Sequence, residues 1–497
     1  MEKITERKDQ FQKINYEKVS QSREKFAVEL RKSKRKEFIQ GRRKKSDLIN
    51  CLLQKDTLMN SILCEPEEDE GNLIEIEDIQ LLIQSLKGDS LDQISAINTI
   101  KDLVSNNNMI AEKFVEHRII DVILPLIQQR TISELKSLGY LIICNIASST
   151  KLCVNKLLEA DIITIIFKEL NSNQYEIFDT LFWTISNLLG DNDNTVFIEI
   201  TDMNFFEITF NCINQYKSNK FLDVVAWTLI NAVHYENLIT KTHLDTILKI
   251  ALILLETDDL EVKYKTIQFI MLLIRKDNEK IDFISHSIFL NKCFELWDIR
   301  ELSIMILRLC ANISCGNNSH LQILLDLNIL DYLEKSLIGN QNSYEITQVF
   351  FCLSNIAAGN TSQVKAISNH SMFFISLNGI LCEDEKVQEE ATYYLRNFTM
   401  LCERKTLKKM FSMHFLKGIT DGFQYAKTNN SIMNLLISYD MVAKVVDKTD
   451  LFAENCHWIL EDLIKHKNPE IYSKSSEILE KYYGITENLE NTYVVMV

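Results

Sequence analysis

Six asparagines recur at a nearly constant spacing, and each stands near the end of an apolar helical stretch. Successive members lie 42, 44, 81, 43 and 42 residues apart, and 81 residues is close to two periods. The six are Asn145, Asn187, Asn231, Asn312, Asn355 and Asn397. An asparagine amide offers donors and an acceptor, so it can hold the C=O and N–H of one extended peptide residue without reading its side chain. A row of such amides therefore predicts a surface that binds a peptide backbone.

The residue four positions before each asparagine strengthens this prediction, because residues four apart share one helix face. These residues are Leu141, Trp183, Trp227, Arg308, Phe351 and Tyr393. Neighbouring indoles can take the methylene stem of a lysine or arginine between them, with a cation–π attraction of about 0.5 to 2 kcal/mol each. Asp191, which follows Asn187 by four residues, is the predicted anchor for the cation.

Two structural explanations compete with peptide binding. An aromatic residue at helical spacing is often part of a hydrophobic core, and a recurring asparagine could form an internal ladder that ties successive repeats together. Asparagine is a poor helix former and is costly to bury unpaired, so six at one phase favour binding.

A period in the low forties is typical of a HEAT or armadillo solenoid, in which units of two or three helices stack on one another. Only 12 glycines and 3 prolines occur, which favours helix nearly throughout. We therefore expect an all-α, right-handed armadillo-repeat superhelical solenoid with a flexible basic N-terminal arm. One unit keeps the period but has Leu272 and Gln268 where the asparagine and the ring would stand.

The charge is unevenly distributed. Residues 1–50 carry a net charge of +8 and residues 51–497 a net charge of −23. An acidic surface repels phosphate and attracts basic peptides, so direct nucleic-acid binding by the body is not expected. We divide the chain into a basic arm (1–50), an acidic flexible linker (51–75), about ten repeats (76–486) and a loose C-terminal tail (487–497).

The sequence contains few motifs that would indicate a catalytic site or a metal site. The 12 cysteines form no CxxC pair, the histidines show no HxxxH or HExxH spacing, and no phosphate-binding glycine loop occurs. No run of 18 apolar residues is present, so membrane insertion is not expected. We predict a soluble intracellular protein that is not an enzyme and uses no cofactor or metal.

The residues that carry the repeat also resemble a known family. FWTISNLLGD (182–191), AWTLINAV (226–233) and EEATYYLRNFT (389–399) look like the repeat helices of importin alpha, the armadillo adaptor of nuclear protein import. VELRKSKRKEF (28–38) is similar to its importin-beta-binding helix, and RRKK (42–45) resembles its autoinhibitory signal. Because Leu141 and other residues replace family tryptophans, the chain looks like a divergent member.

The resemblance implies specific sites. The major peptide site would comprise Asn145, Trp183, Asn187, Asp191, Trp227 and Asn231. The minor site would comprise Asn312, Phe351, Asn355, Glu390, Tyr393 and Asn397. Importin beta would bind Arg23, Arg31, Lys32, Lys34 and Arg35. The autoinhibitory residues would be Arg42, Arg43, Lys44 and Lys45.

The resemblance further implies importin beta, cargo proteins with basic nuclear localisation signals and a nuclear export receptor as partners. It implies a protein that shuttles between cytoplasm and nucleus. The alternative is an armadillo scaffold that joins other proteins without a transport role.

Overall fold

The computed structural model describes residues 76–88, 90–128, 133–172, 175–190, 193–275, 277–338, 342–413, 415–487 and 493–495. The predicted basic arm, the predicted linker and the anchor Asp191 lie outside the described residues. The described residues fall into two compact units that meet in sequence between Leu273 and Ile274. We call them the N-terminal unit and the C-terminal unit.

The N-terminal unit is built from helices. They are α1 (Ile76–Ser85), α2 (Ser90–Asn106), α3 (Asn108–Glu116), α4 (Ile119–Gln128), α5 (Ser133–Ala147), α6 (Lys151–Glu159), α7 (Ile162–Leu170), α8 (Phe178–Leu189), α9 (Asn194–Asp202), α10 (Phe205–Gln215), α11 (Asn219–Ala232), α12 (Lys241–Leu255) and α13 (Leu260–Leu273). Short 3₁₀ helices at Tyr175–Ile177 and Val233–Leu238 complete it.

The C-terminal unit continues the three-helix pattern. Its helices are α14 (Asn278–Ser285), α15 (Ile288–Glu295), α16 (Arg300–Ser314), α17 (Asn318–Asp326), α18 (Ile329–Leu337), α19 (Ser343–Ala357), α20 (Thr361–Ser368), α21 (Met372–Ile380), α22 (Glu385–Leu401), α23 (Arg404–Ser412), α24 (Phe415–Gly422), α25 (Asn429–Ala443), α26 (Lys448–Glu454), α27 (Trp458–Leu463) and α28 (Pro469–Ile478). A π-helical turn follows at Leu479–Tyr483.

The turn between the first and second helix of a repeat has a recurring conformation. A residue with positive φ stands directly before α4, α7, α10 and α18, and another directly follows α26 in the turn that leads to α27. These residues are Arg118, Asp161, Asn204, Asn328 and Asn455. Asparagine and aspartate tolerate the left-handed region better than most residues, so four of the five suit their position. This turn reverses the chain and lets the third helix of each repeat pack against its first two.

The third helices form a continuous layer within each unit. In the N-terminal unit α5 packs on α8 and α8 on α11, while in the C-terminal unit α19 packs on α22 and α22 on α25. Rings at their interfaces form the core. Phe182 packs edge-on against Phe221, with ring centroids 5.3 Å apart. Within each unit, neighbouring third helices thus bury apolar faces against one another, as expected of a solenoid.

The C-terminal segment departs from the sequence prediction. We expected a loose tail from residue 487, but Tyr493–Val495 forms an antiparallel pair with Ile485–Glu487. Valine and tyrosine favour extended backbone, and the pairing satisfies polar groups that a helix would otherwise satisfy internally. Within the described ranges, no helix combines the length and apolar character needed to cross a bilayer.

Candidate functional site

The predicted major-site residues lie on third helices of the N-terminal unit. Trp183 and Asn187 lie on α8, and Trp227 and Asn231 lie one helix further along on α11. Both tryptophans are half-buried, and so is Asn145 on α5. The fold thus places these five predicted residues on neighbouring helices of one layer.

The asparagine amides of this unit tie successive repeats together. Asn187 Nδ2 donates a hydrogen bond to the backbone oxygen of Cys144, the neighbour of Asn145, at 3.1 Å. Asn231 Nδ2 donates to the backbone oxygen of Ser186, the neighbour of Asn187, at 3.0 Å, and to its Oγ at 2.8 Å. Because a carbonyl oxygen can only accept, these bonds fix which end of each amide is the nitrogen.

The C-terminal unit repeats the arrangement. Asn397 Nδ2 donates to the backbone oxygen of Ser354, the neighbour of Asn355, at 3.0 Å. Asn355 Nδ2 donates to Ser314 Oγ at 3.0 Å, and no described residue donates to its buried Oδ1. The internal ladder that competed with peptide binding is therefore present. It uses the nitrogen end of each amide, so it does not by itself exclude a ligand at the oxygen end.

The remaining predicted minor-site residues differ in exposure. Phe351 on α19 is 1% exposed, whereas Tyr393 on α22 and Asn312 on α16 are half-buried. Glu390, one turn before Tyr393, is also buried. The two aromatic rings that precede asparagines in this unit therefore differ in solvent exposure: Phe351 is buried and Tyr393 is half-buried.

The internal ladder yields a first test. Asn397→Asp would place a carboxylate oxygen against the Ser354 carbonyl, where the amide nitrogen now donates. Two acceptors would then face each other in a buried position, which costs about 2 to 3 kcal/mol. Because this cost lowers the stability of the helix, we expect backbone amide hydrogen exchange in α22 to become faster. Asn369→Asp, at an exposed position of the same unit, is the control and should change exchange little. Equal effects of the two variants would contradict the assigned bond.

Sequence reasoning did not identify an acidic residue that recurs four positions before each of the two tryptophans. Asp179 stands four residues before Trp183, and Asp223 four residues before Trp227, so α8 and α11 both carry the pattern Asp-x3-Trp-x3-Asn. The 44-residue offset between the two copies was a signal available in the sequence. We call Asp179, Trp183, Asn187, Asp223, Trp227 and Asn231 the tryptophan–asparagine strip.

The acids of the strip meet lysines of the following third helix. Lys220 Nζ lies 2.8 Å from Asp179 Oδ2, and Lys265 on α13 pairs with Asp223. Asp179 Oδ1 is buried, and no described residue donates a hydrogen bond to it. The strip is thus a line of carboxylates, half-buried indoles and oriented amides. The described residues contain no cluster of His, Cys, Asp and Glu suited to a metal ion.

Comparison with known proteins supports the fold. No protein-family model matches the chain. A crystal structure of an engineered protein superposes with a TM-score of 0.66 at 18% identity, covering 82% of this chain and 98% of the other. A structure from work on the phosphorylation switch that controls the interaction between cadherin and beta-catenin gives a TM-score of 0.59 at 9% identity, covering 82% and 83%. A designed armadillo repeat protein gives 0.42 at 20% identity, covering 46% and 97%.

The predicted fold class is confirmed: the protein is a helical solenoid of the armadillo-repeat type. Stacked repeats of this kind create extended surfaces. Among the described residues, the pair of short strands Ile485–Glu487 and Tyr493–Val495 adds to the helices.

Proposed function

We propose that the tryptophan–asparagine strip binds an extended peptide rich in lysine and arginine. The observation that carries the proposal is the repeated Asp-x3-Trp-x3-Asn register on α8 and α11, with both amides held in one orientation. Each repeat then presents one carboxylate, one indole and one amide to successive residues of a ligand. A strand-like ligand advances about 3.3 Å per residue, so neighbouring third helices meet residues a few positions apart.

The chemistry of each group suits a basic peptide. The Cys144 carbonyl of the preceding repeat holds the amide nitrogen of Asn187, which leaves Oδ1 as the end of the amide that can accept a peptide N–H. The indole faces attract the cationic ends and the methylene stems of lysine and arginine. The net charge of −23 on residues 51–497 raises the local concentration of a basic ligand.

We further propose that this binding serves nuclear protein import. On this account the strip takes the nuclear localisation signal of a cargo protein, and the basic segment 28–38 with Arg23 binds importin beta. The RRKK sequence at 42–45 then competes for the strip after cargo release, and an export receptor returns the adaptor to the cytoplasm. The resemblance of these segments to importin alpha and the charge contrast between arm and body support the proposal.

The peptide-binding step has a direct test. We expect a fluorescent lysine-rich peptide to bind the full chain with salt-sensitive affinity, and Trp227→Ala to weaken binding about 10- to 30-fold, since an indole–cation contact in a desolvated slot contributes about 2 kcal/mol. Trp458→Ala is the matched control, because Trp458 on α27 is 45% exposed and lies off the strip. Equal losses in both variants would place the binding site elsewhere.

The transport step is tested separately. Deletion of residues 1–45 should abolish capture of importin beta and strengthen binding of the lysine-rich peptide, because the competing RRKK segment is removed. If the full chain binds the peptide but the deletion changes neither property, the armadillo scaffold without a transport role is the better account.

A further inference from the structure

Lys265 occupies an unusual position beside the strip. It lies on α13, the third helix whose sequence has Leu272 and Gln268 in place of the asparagine and the ring. Its ammonium pairs with Asp223 of the strip and lies 2.9 Å from Glu261 Oε1 on its own helix. The chain thus supplies a buried cation of its own at one of the two strip carboxylates.

The two lysines that meet the strip differ in how firmly they are held. The side chain of Lys265 is 6% exposed and is shared by two carboxylates, whereas that of Lys220, which pairs with Asp179, is 57% exposed. An exposed ion pair contributes little and its lysine can move away at small cost, while a buried ammonium held by two acids is costly to displace. Lys220 can therefore give way to a ligand cation more easily than Lys265.

The carboxylates differ in the same sense. Asp179 pairs through Oδ2 with the exposed Lys220 ammonium, so its charge becomes available to a ligand cation once Lys220 moves away. Asp223 faces the buried Lys265 ammonium. A peptide lysine or arginine that approached Asp223 would meet the like charge of Lys265 at short range, which disfavours binding there.

We propose that Lys265 is a built-in cation that closes the basic subsite at Asp223, so that the strip reads a ligand's positive charge at Asp179. This inference rests on the proposed peptide binding and deepens it by stating which carboxylate selects the cation. The ligand it predicts is a basic peptide with one stringent lysine or arginine position at Asp179. The residue opposite Asp223 is neutral or variable.

The test is a positional scan of a lysine-rich peptide against the full chain and its Lys265→Met variant. In the wild-type protein, one lysine-to-alanine change in the peptide should cause most of the loss of affinity. In Lys265→Met, Asp223 and Glu261 lose the Lys265 ammonium, so affinity should rise about tenfold and a second lysine position should become sensitive.

Two further variants make the test specific. Lys136→Met removes the same charge from an ion pair with Glu169 at 2.7 Å, off the strip in the same unit, and should leave affinity and the scan unchanged. Lys265→Met with Asp223→Asn removes both partners, preserves the packing volume and should cancel the gain. Circular dichroism melting verifies that each variant is folded.

The outcomes separate the two proposals. If the wild-type protein binds the peptide but Lys265→Met behaves like Lys136→Met, the role of Lys265 is overturned while peptide binding stands. If the double variant keeps the full gain, Asp223 is not the subsite and the inference fails. If no variant binds the peptide, the proposed function fails and this inference fails with it.

Discussion

Arg300→Met is expected to destabilise α19 and its neighbours by about 3 kcal/mol, because it would leave a buried carboxylate unpaired. The guanidinium of Arg300 on α16 donates to both oxygens of Glu345 on α19, at 2.8 and 2.7 Å. The Glu345 side chain is 1% exposed, so it has little access to solvent once the arginine is lost. The exposed arginine itself loses little on removal, and the cost therefore comes from the stranded carboxylate.

Native-state hydrogen exchange of α19 is the measurement, because it reports local opening free energies in a solenoid that need not unfold in one step. Adding Glu345→Met to Arg300→Met should recover most of the loss, since apolar replacement of both partners removes the buried charge. Arg118→Met breaks the exposed pair with Asp121 at 2.9 Å and should have little effect. A loss of the same size in Arg118→Met would contradict the explanation.

The C-terminal end of the solenoid is expected to lose stability in acid through Asp440. Its carboxylate accepts hydrogen bonds from Tyr482 at 2.6 Å, Lys474 at 2.7 Å and Lys481 at 3.1 Å. Burial alone would raise the pKa of Asp440, but the bonds from Lys474, Tyr482 and Lys481 outweigh it, so the pKa lies below its usual value. The carboxylate thus joins α25 to α28 and the π-helical turn.

The sign of the pH dependence follows from that direction. A group whose pKa is lowered on folding contributes its full stability above the unfolded pKa of about 3.9, and loses it as the pH falls through the lower folded pKa. We expect the hydrogen-exchange stability of α28 to be constant near neutral pH and to fall below about pH 4. Asp440→Asn should lower the neutral value by about 2 kcal/mol and remove this acid dependence.

The control for Asp440 is Asp447→Asn. Asp447 is exposed at the start of α26, and its side chain caps no backbone N–H there. In that variant, the hydrogen-exchange stability of α28 should depend on pH as it does in the wild-type protein. If Asp440→Asn retains the full acid-dependent loss, the stability change arises at another group.

The helical layer was predictable from sequence because its signals are local and periodic. The apolar spacing and the asparagines at about 42-residue steps placed α8 and α11, including the end of each helix near Asn187 and Asn231. The strand at Tyr493–Val495 was missed because it depends on pairing with Ile485–Glu487 and the segment shows no helical period. Its β-branched residues were the available signal.

The site was only partly predictable, since the role of an amide depends on which group faces it in three dimensions. The sequence favoured a binding surface over an internal ladder, whereas in the structure Asn187 donates to the Cys144 carbonyl and so forms part of a ladder. The pairing of Lys265 with Asp223 spans 42 residues and requires the packing of α13 on α11. No spacing rule for a single helix contains that information.

The measurement that tests the central claim most directly uses the protein's own tryptophans. Four tryptophans occur, and Trp183 and Trp227 belong to the strip, whereas Trp297 is buried beside Ser336 and Trp458 lies on α27. In a variant with Trp297→Phe and Trp458→Phe, addition of a lysine-rich peptide should change the tryptophan fluorescence. The change should saturate with peptide concentration and should be smaller at high salt. The reciprocal variant, with Trp183→Phe and Trp227→Phe, should show no change. Emission that responds only in the reciprocal variant, or in neither, would contradict peptide binding at the tryptophan–asparagine strip.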